Sequence, residues 1–433
     1  MQSEWKITTL GEEVDFLTGF PFKSKEYTDD PNDTRLLRGD NIAQGFVRWS
    51  NAKRWPRDDA KSFEAYELRE KDVVLAMDRP WIDAGLKYAA ILEKDVPSLL
   101  LQRTSRLRGG KDLNSGFLRY LIGSPEFTRY IQSITTGSLV PHISSVQIKD
   151  YSFRKPPLQT QKLIASVLGS LDAKIELNHR INVELEGMAK LLYDYWFVQF
   201  DFPMSAAQAA AIAKPRLTGQ PYQSSGGKMT YHPDLKREIP DGWDAGTLKD
   251  LFDLNPSVSI KKGQMAAYLD MNALPTSGFM TKAIQRKEFN GGTKFTNGDV
   301  LVARITPCLE NGKTGLVCLL DEDELAFGST EFIVLRGKEL PLIAHACCLS
   351  RSEPFRNYAV RNMTGTSGRK RLEAPILEKL PIAIPPIETL STFEQTCGSF
   401  FQLMTEHTQQ NQHLTALRDW LLPMLMNGQV TVR

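Results

Sequence analysis

PPLQTQKLIASVLGSLDAKIELN, from Pro156 to Asn178, and PPIETLSTFEQTCGSFFQLM, from Pro385 to Met404, decide the fold of this chain. Each opens on a Pro-Pro step and then takes an apolar period of about 3.5, the period of a helix whose stripe faces another helix. Upstream of each step the same landmarks recur: Tyr130 and Tyr358, Thr136-Gly137 and Thr364-Gly365, and Arg108-Gly109 and Arg336-Gly337 lie 228 residues apart. Trp5 and Leu10 match Trp243 and Leu248 at an offset of 238, so a length difference sits in the variable part of each copy. One unit, a globular part followed by a long helix, is used twice. Self-similarity at this scale indicates duplicated domains and not a short-repeat solenoid. A duplicated reader with a built-in spacer suits an approximately two-fold partner, of which duplex DNA is the commonest.

In the first helix Ile164, Leu168, Leu171, Ile175, Asn178, Asn182, Leu185, Ala189, Leu192 and Trp196 fall on one heptad stripe. In the second, Phe393, Cys397, Phe400, Met404, His407, Asn411, Leu414, Leu421 and Leu425 take the matching positions. Helices of about 35 to 40 residues span roughly 55 to 60 Å, and neither is stable with its stripe exposed. The economical solution packs the two on each other, antiparallel. Polar residues interrupt both stripes at the same two positions, Asn178 and Asn182 in one and His407 and Asn411 in the other. Either the stripe frays into water there, or a polar layer sets the register.

The fold class expected is α+β: two mixed α/β domains, a pseudo-two-fold repeat, separated by two long helices forming an antiparallel coiled coil. The boundaries read as a first globular domain over 1–155, a helix over 156–202, a linker over 203–240, a second globular domain over 241–384 and a second helix over 385–428. Runs such as KDVVLAM and GDVLVARI alternate with Gly, Pro, Asn and Asp punctuation, as strands do. The stretch from Met204 to Met229 is Ala-rich, then Gly, Pro and Ser-rich, the composition of a linker lying over a surface.

Composition excludes more than it assigns. Of 433 residues 41% are hydrophobic and 24% charged, ordinary for a globular protein, and 53 basic residues nearly cancel 51 acidic ones. Any nucleic-acid surface must therefore be a local patch. The opening MQSEWKITTLGEEVD has no signal-peptide pattern, and no run approaches the ~20 apolar residues of a membrane span, so a cytoplasmic location is expected. The five cysteines all lie in the second copy without CxxC spacing and read as reduced packing residues, while six histidines without ligand spacing give a metal site no support.

Two motifs come close to chemistry. PCLENGKTG holds Gly312-Lys313-Thr314, but a phosphate-binding loop needs Gly five residues before that glycine, where this chain has Pro307, which lacks an N–H. Asn255-Pro256-Ser257-Val258 falls short of the Asn-Pro-Pro-aromatic arrangement of amine methyltransferases, and no Gly-rich loop for a methyl donor follows any strand. No catalytic residues are assigned.

Basic residues gather where acids are scarce. Arg35 to Arg57 carries six cations against the single acid Asp40, Gln102 to Lys111 holds Arg103, Arg106 and Arg108, and Arg361 to Arg371 (RNMTGTSGRKR) mixes cations with Gly, Ser and Thr. Such a loop can bond phosphates through backbone N–H groups while an Arg reaches a guanine edge, although any one run read alone is a solvated loop. Its counterpart in the first copy, ITTGSLVPHISS, sits at the same place before the same helix.

The segment ISSVQIKDYSFRKPPLQTQKLIASVLGSLDAKIELN resembles the region that follows a target-recognition domain in the specificity subunits of type I restriction-modification systems. EKLPIAIPPIETLSTFEQTCGSFF resembles it more weakly, since Gln161-Lys162-Leu163-Ile164 is replaced by Leu390-Ser391-Thr392-Phe393. FPFKSKEY, RLLRGDNIAQG, GDVLVARITPCLENGKTG, GSTEFIVLRG, GTSGRKR and the connector PYQSSGGKM with REIPDGW extend the likeness over nearly the whole chain. The resemblance implies a non-catalytic protein with two target-recognition domains, each reading half of a split site in double-stranded DNA. It also implies that the helices bind two modification (methyltransferase) subunits, with restriction subunits joining, and that S-adenosylmethionine, ATP and Mg are used by those partners. Candidate DNA contacts are Arg35, Arg38, Asn41, Arg103, Arg106, Thr136, Ser138 and His142 in the first copy, and Arg304, Thr366, Ser367, Arg369, Lys370 and Arg371 in the second. The helix-helix core is assigned to Ile164, Leu171, Asn178, Leu185 and Leu192 against Phe393, Phe400, His407, Leu414 and Leu421. Competing readings are a duplicated coiled-coil scaffold for protein or carbohydrate partners, disfavoured by the basic Gly/Ser loops, and a stand-alone enzyme, disfavoured by the failed motifs.

Overall fold

The computed structural model describes residues 5–135, 141–282, 284–366 and 368–432. The chain forms two compact units, one from residues 1–174 with 414–433 and the other from 175–413. In the first, the strands are β1 (Lys6–Thr9), β2 (Val14–Thr18), β3 (Thr34–Leu37), β4 (Val73–Ala76), β5 (Tyr88–Ala90), β6 (Ser98–Leu100), β7 (Thr104–Gly109) and β8 (Ser152–Lys155), with helices α1 (Ser115–Ile122), α2 (Pro125–Ile134) and the start of α3 (Leu158–Tyr193). In the second they are β9 (Asp244–Thr247), β10 (Phe252–Leu254), β11 (Met265–Leu269), β12 (Val300–Ala303), β13 (Thr314–Leu316), β14 (Ala326–Gly328), β15 (Phe332–Gly337) and β16 (Pro381–Ile384), with helices α4 (Ile343–Arg351), α5 (Glu353–Arg361) and most of α6 (Ile387–Met426).

The duplication extends to the pairing. The order β2-β7-β4-β5 of the first main sheet recurs as β10-β15-β12-β13, β3 and β6 pair in parallel as β11 and β14 do, and β1-β8 recurs as β9-β16. Central strands VVLA (β4) and VLVA (β12) are buried at every residue, as a strand covered on both faces must be. Just before each lies a buried carboxylate. Asp72 receives two hydrogen bonds from Arg108, at 2.7 and 2.8 Å, and one from Arg69 N; Asp299 receives two from Arg336, both at 2.7 Å, and one from Thr296 N. The bidentate fork satisfies a charge that the core would otherwise penalise, and it pins β7 to β4 and β15 to β12.

Both heptad stripes are covered. In the first unit Ile164 and Leu168 share a core with Phe117, Leu422 and Leu425, and Asp172 accepts hydrogen bonds from Tyr120 (2.7 Å) and Arg418 (3.0 Å). In the second, Asn178 Nδ2 donates to Gln410 Oε1 at 2.6 Å and Asn411 Oδ1 at 2.9 Å, and His407 Nδ1–H donates to Asn182 Oδ1 at 2.8 Å. Within each unit the partners descend along α6 as they ascend along α3, so the helices run antiparallel. Asn178 is fully buried and Asn182 nearly so, which settles the alternative left open by the sequence: the polar positions form a bonded layer and do not fray into water.

The expected linker over 203–240 does lie over the surface, exposed along most of its length, and is pinned to the unit at a few points. Phe202 stacks on Tyr222 at 4.8 Å and on Trp243 at 5.2 Å, and Phe200, Met204, Ala209 and Ile239 are buried in the same core. Tyr222 from within the stretch and Phe202 and Trp243 from its flanks hold it down. Helix α3 ends at Tyr193 and is followed by a π-helical turn, Asp194–Val198, short of the expected 202.

The weakest match between the copies has a physical counterpart. Gln161 accepts from Asn114 N at 2.8 Å, tying the start of α1 to α3. Leu390 stands at the equivalent position of α6, and Glu394, one turn on, accepts from Ala344 N and His345 N at 3.0 and 2.8 Å at the start of α4. Burial pushes the Glu394 carboxyl up to about 7, against the pull of those N–H groups.

Two measurements test these joints. Asn178→Leu should cost about 1 to 3 kcal/mol by leaving half-buried Asn411 without its donor, and adding Asn411→Leu should recover most of the loss, both read by denaturant unfolding. For Glu394, a carboxyl raised in the folded state contributes stability that is lost as pH rises from about 4.5 through about 7. The stability difference between Glu394→Gln and the parent should therefore grow over that window by at most about 3 kcal/mol, and stay flat above it. Taking the difference removes the opposing contribution of buried His345, which titrates alike in both proteins.

Candidate nucleic-acid interface

In the first unit a polar cavity of about 850 Å3 opens beside β4, lined by Arg38, Lys53, Arg79, Lys87 and Arg103 with Asp29, Asp40 and Asp78. The chain leaves β4 through Met77 and Asp78, and Arg79 takes a left-handed conformation (φ 45°) as the backbone turns into the hairpin Trp81–Leu86. Asp78 holds the site together, bonding Arg103 at 2.8 Å and His142 Nδ1 at 2.6 Å. Arg38 lies 3.5 Å from Asp40, and Lys53 lies 3.5 Å from Asp29. These exposed pairs are weak, so phosphate oxygens can replace the carboxylates. Burial pushes the Lys87 ammonium below its usual range, with Asp40 opposing.

The second unit presents a hairpin-like loop. Thr364 and Arg371 exchange backbone hydrogen bonds at 2.9 and 2.8 Å, and Arg369 N returns to Thr366 O. Gly365 (φ 126°) and Gly368 (φ 80°) supply the backbone conformations that other residues adopt at a cost. Arg371 anchors the loop through Glu331, at 2.8 to 3.0 Å, and Glu331 lies 3.5 Å from Arg304, which reaches Glu373 at 3.1 Å. The Arg371 hydrogen bond holds the Glu331 carboxyl below its ordinary range. Both copies thus tie the loop to the strand exit through a central acid with different cations around it: Asp78 with Arg103 and His142 in one, Glu331 with Arg304 and Arg371 in the other.

The sequence-assigned residues divide accordingly. Arg38, Arg103 and His142 come together at the first cavity, and Thr366, Arg369 and Lys370 are exposed on the second loop. Others are engaged within the protein. Arg106 is buried against Asp15; Asn41 is buried, accepting from Arg38 N and donating to Arg48 O; Arg35 donates to Lys94 O and Val96 O and stacks on Trp49 at 4.5 Å. Arg304 and Arg371 belong to the anchor. Thr136, Ser138 and Ser367 lie outside the described residues. Sequence reasoning missed Arg79 and Lys87 as site residues; the signal was the stretch RPWIDAGLK, at the position of the phosphate-loop near-miss in the other copy.

Neither near-miss is left with idle groups. Lys313 donates to Met271 O at 2.9 Å, and Asn255, at φ 52°, pairs with Val334 through both its backbone N–H and its Oδ1. Among the described residues no group of His, Cys, Asp and Glu has a metal-binding arrangement, and no helix is long and apolar enough to cross a membrane.

Two copies of one mixed α/β unit, each carrying a cationic surface where the chain leaves the central strand, define a duplicated protein built on paired helices. The model of the type I restriction modification DNA specificity domain matches residues 2–187 and 240–416, and the chain belongs to that family. It is 38% identical to the type I restriction enzyme EcoAI specificity subunit of Escherichia coli over 39% of this chain and 28% of that one, so it spans under a third of that relative's length. It is 24% identical to the HindI specificity subunit of Haemophilus influenzae over 99% of this chain and 100% of that one. The fold is similar to that of the type I restriction-modification S subunit from M. genitalium, with a TM-score of 0.56 and 13% identity over 98% of this chain and 96% of that one.

The division of the cations is open to test by thermal melts of single variants. Arg106→Leu should lower stability by about 1 to 3 kcal/mol, after allowing for solvent around Asp15, whereas Lys370→Ala should leave the melt unchanged.

Proposed function

We propose that this chain is the non-catalytic subunit that confers DNA sequence specificity on a type I restriction-modification complex, each unit reading one half of a bipartite site in double-stranded DNA. The observation that carries this reading is the repetition, in two units of one topology, of a cationic surface at the same place with different residues. Common architecture with divergent contacts is what two different half-sites require. In the first unit Arg38, Lys53, Arg79, Lys87 and Arg103 offer phosphate and base contacts; in the second, Thr366, Arg369 and Lys370 do.

Two modification subunits would dock on the helices, and restriction subunits would join the complex. Exposed apolar side chains on their outer faces support this, at Met188 (50% exposed) and Leu191 (69%) on α3 and at Leu417 (43%) and Trp420 (57%) on α6. S-adenosylmethionine, ATP and Mg would be bound by those partners, with none held by this chain.

The experiment is a salt titration of duplex binding with the modification subunit present, followed by selection of bound duplexes from a random pool. Log affinity should fall steeply with log salt. Lys370→Ala and Arg369→Ala should relax or weaken one half-site only, and Arg38→Ala and Lys87→Ala the other, a lost base contact costing about 1 to 3 kcal/mol. Absence of binding at low salt would favour a protein-binding scaffold. Loss of both half-sites from one substitution would contradict one half-site per unit.

A further inference from the structure

Within the second unit lies a cavity of about 790 Å3, between the end of α3, the segment Asp234–Arg237 and the junction of α4 with α5. Its volume is within the range of about 300 to 1,000 Å3 common to small-molecule sites. The π-helical turn Asp194–Val198 contributes Asp194, Phe197 and Val198 to the wall. Such widened turns are frequent at functional sites.

Cationic side chains on the wall outnumber acidic ones five to three, and the arginines among them lack carboxylate partners. Arg351 donates through its two terminal nitrogens to the carbonyls of Pro275, Thr276, Gly312 and Thr314, while its Nε is buried with no hydrogen-bond partner. Arg237 lies 4.8 Å over the ring of Phe200. No carboxylate of a described residue forms an ion pair with Arg237, Arg351 or Arg356. His345 is only 3% exposed, and its Nδ1 also has no partner. Burial holds that ring neutral, its pKa pushed down to about 3. A buried polar atom without a partner is uncommon and calls for an explanation, and two of the residues that line this cavity carry one.

We propose that the cavity is a binding site for a small organic anion, with a phosphate or carboxylate group meeting the arginines, an apolar body against Phe197, Leu349 and Ile382, and a polar atom at His345 Nδ1. An anion there supplies a charge partner for Arg237 and Arg356, and the apolar wall shields the pair from water. The assignment does not rest on the reading of DNA, since the cavity and the loop Thr364–Arg371 share no residue.

The test uses the full chain without DNA and phenyl phosphate as probe, with inorganic phosphate and phenol as separate arms, followed by calorimetry and by the His345 ring resonances. Phenyl phosphate should bind once per chain, about tenfold or more tighter than inorganic phosphate, with phenol not binding. The His345 signals should shift with the same saturation. Arg356→Gln, at an exposed position, should weaken binding about tenfold, whereas Arg369→Gln should not affect it. If Arg356→Gln does not fold, Arg237→Gln provides the same comparison. No heat at millimolar probe, unmoved His345 signals, equal affinity in the arginine variants, or displacement of the probe by duplex DNA of any sequence would each overturn the proposal.

Discussion

The structure depends on covering two apolar helical stripes with each other. A helix of 36 residues and one of 40, each with an apolar stripe along its length, cannot persist in water separately. Everything else in each unit is attached to that pairing. Tyr120 and Arg418 meet at Asp172 in one unit, and Glu394 holds the start of α4 in the other. The bonded polar layer of Asn178, Asn182, His407 and Asn411 adds register: sliding either helix by one heptad would bury amides against leucines.

The two copies show what a duplicated fold keeps and what it changes. The bidentate pairs of Asp72 with Arg108 and Asp299 with Arg336 are kept in detail, down to the backbone N–H three residues earlier. A carboxylate excluded from water beside the central strand allows little variation. At the surface the same junction is held by an acid in both copies but with different cations around it, because exposed pairs need only opposite signs. Between these extremes lies the replacement of Gln161 by Leu390 with Glu394 taking over one turn later. That exchange converts a neutral tie into a titrating one.

The cationic surfaces follow from the same contrast. The loops that meet the exit of the central strand are held at their base by an acid, Asp78 or Glu331, which leaves their tips open to variation without loss of the fold. The anchor explains why Arg103, Arg304 and Arg371 are occupied by the protein itself.

How much was legible in the sequence depends on whether the signal was periodic. The heptads from Ile164 to Trp196 and from Phe393 to Leu425 determined the two helices, their starts at Leu158 and Ile387 and the polar interruption, because burial of a stripe leaves a period in the residue types. The recurrence of Tyr130 as Tyr358 and of Arg108 as Arg336 determined the duplication. Three-dimensional packing decided the rest. A basic residue carries no mark of whether its charge faces solvent, as Arg38 and Lys370 do, or is itself buried against an acid of the protein, as Arg106 is against Asp15. Lys87 enters the first cavity because β5 pairs with β4, and the low-complexity stretch after Met204 folds because Phe202, Tyr222 and Trp243 meet from distant positions. Those encounters are long-range, and long-range encounters leave no local period in a sequence.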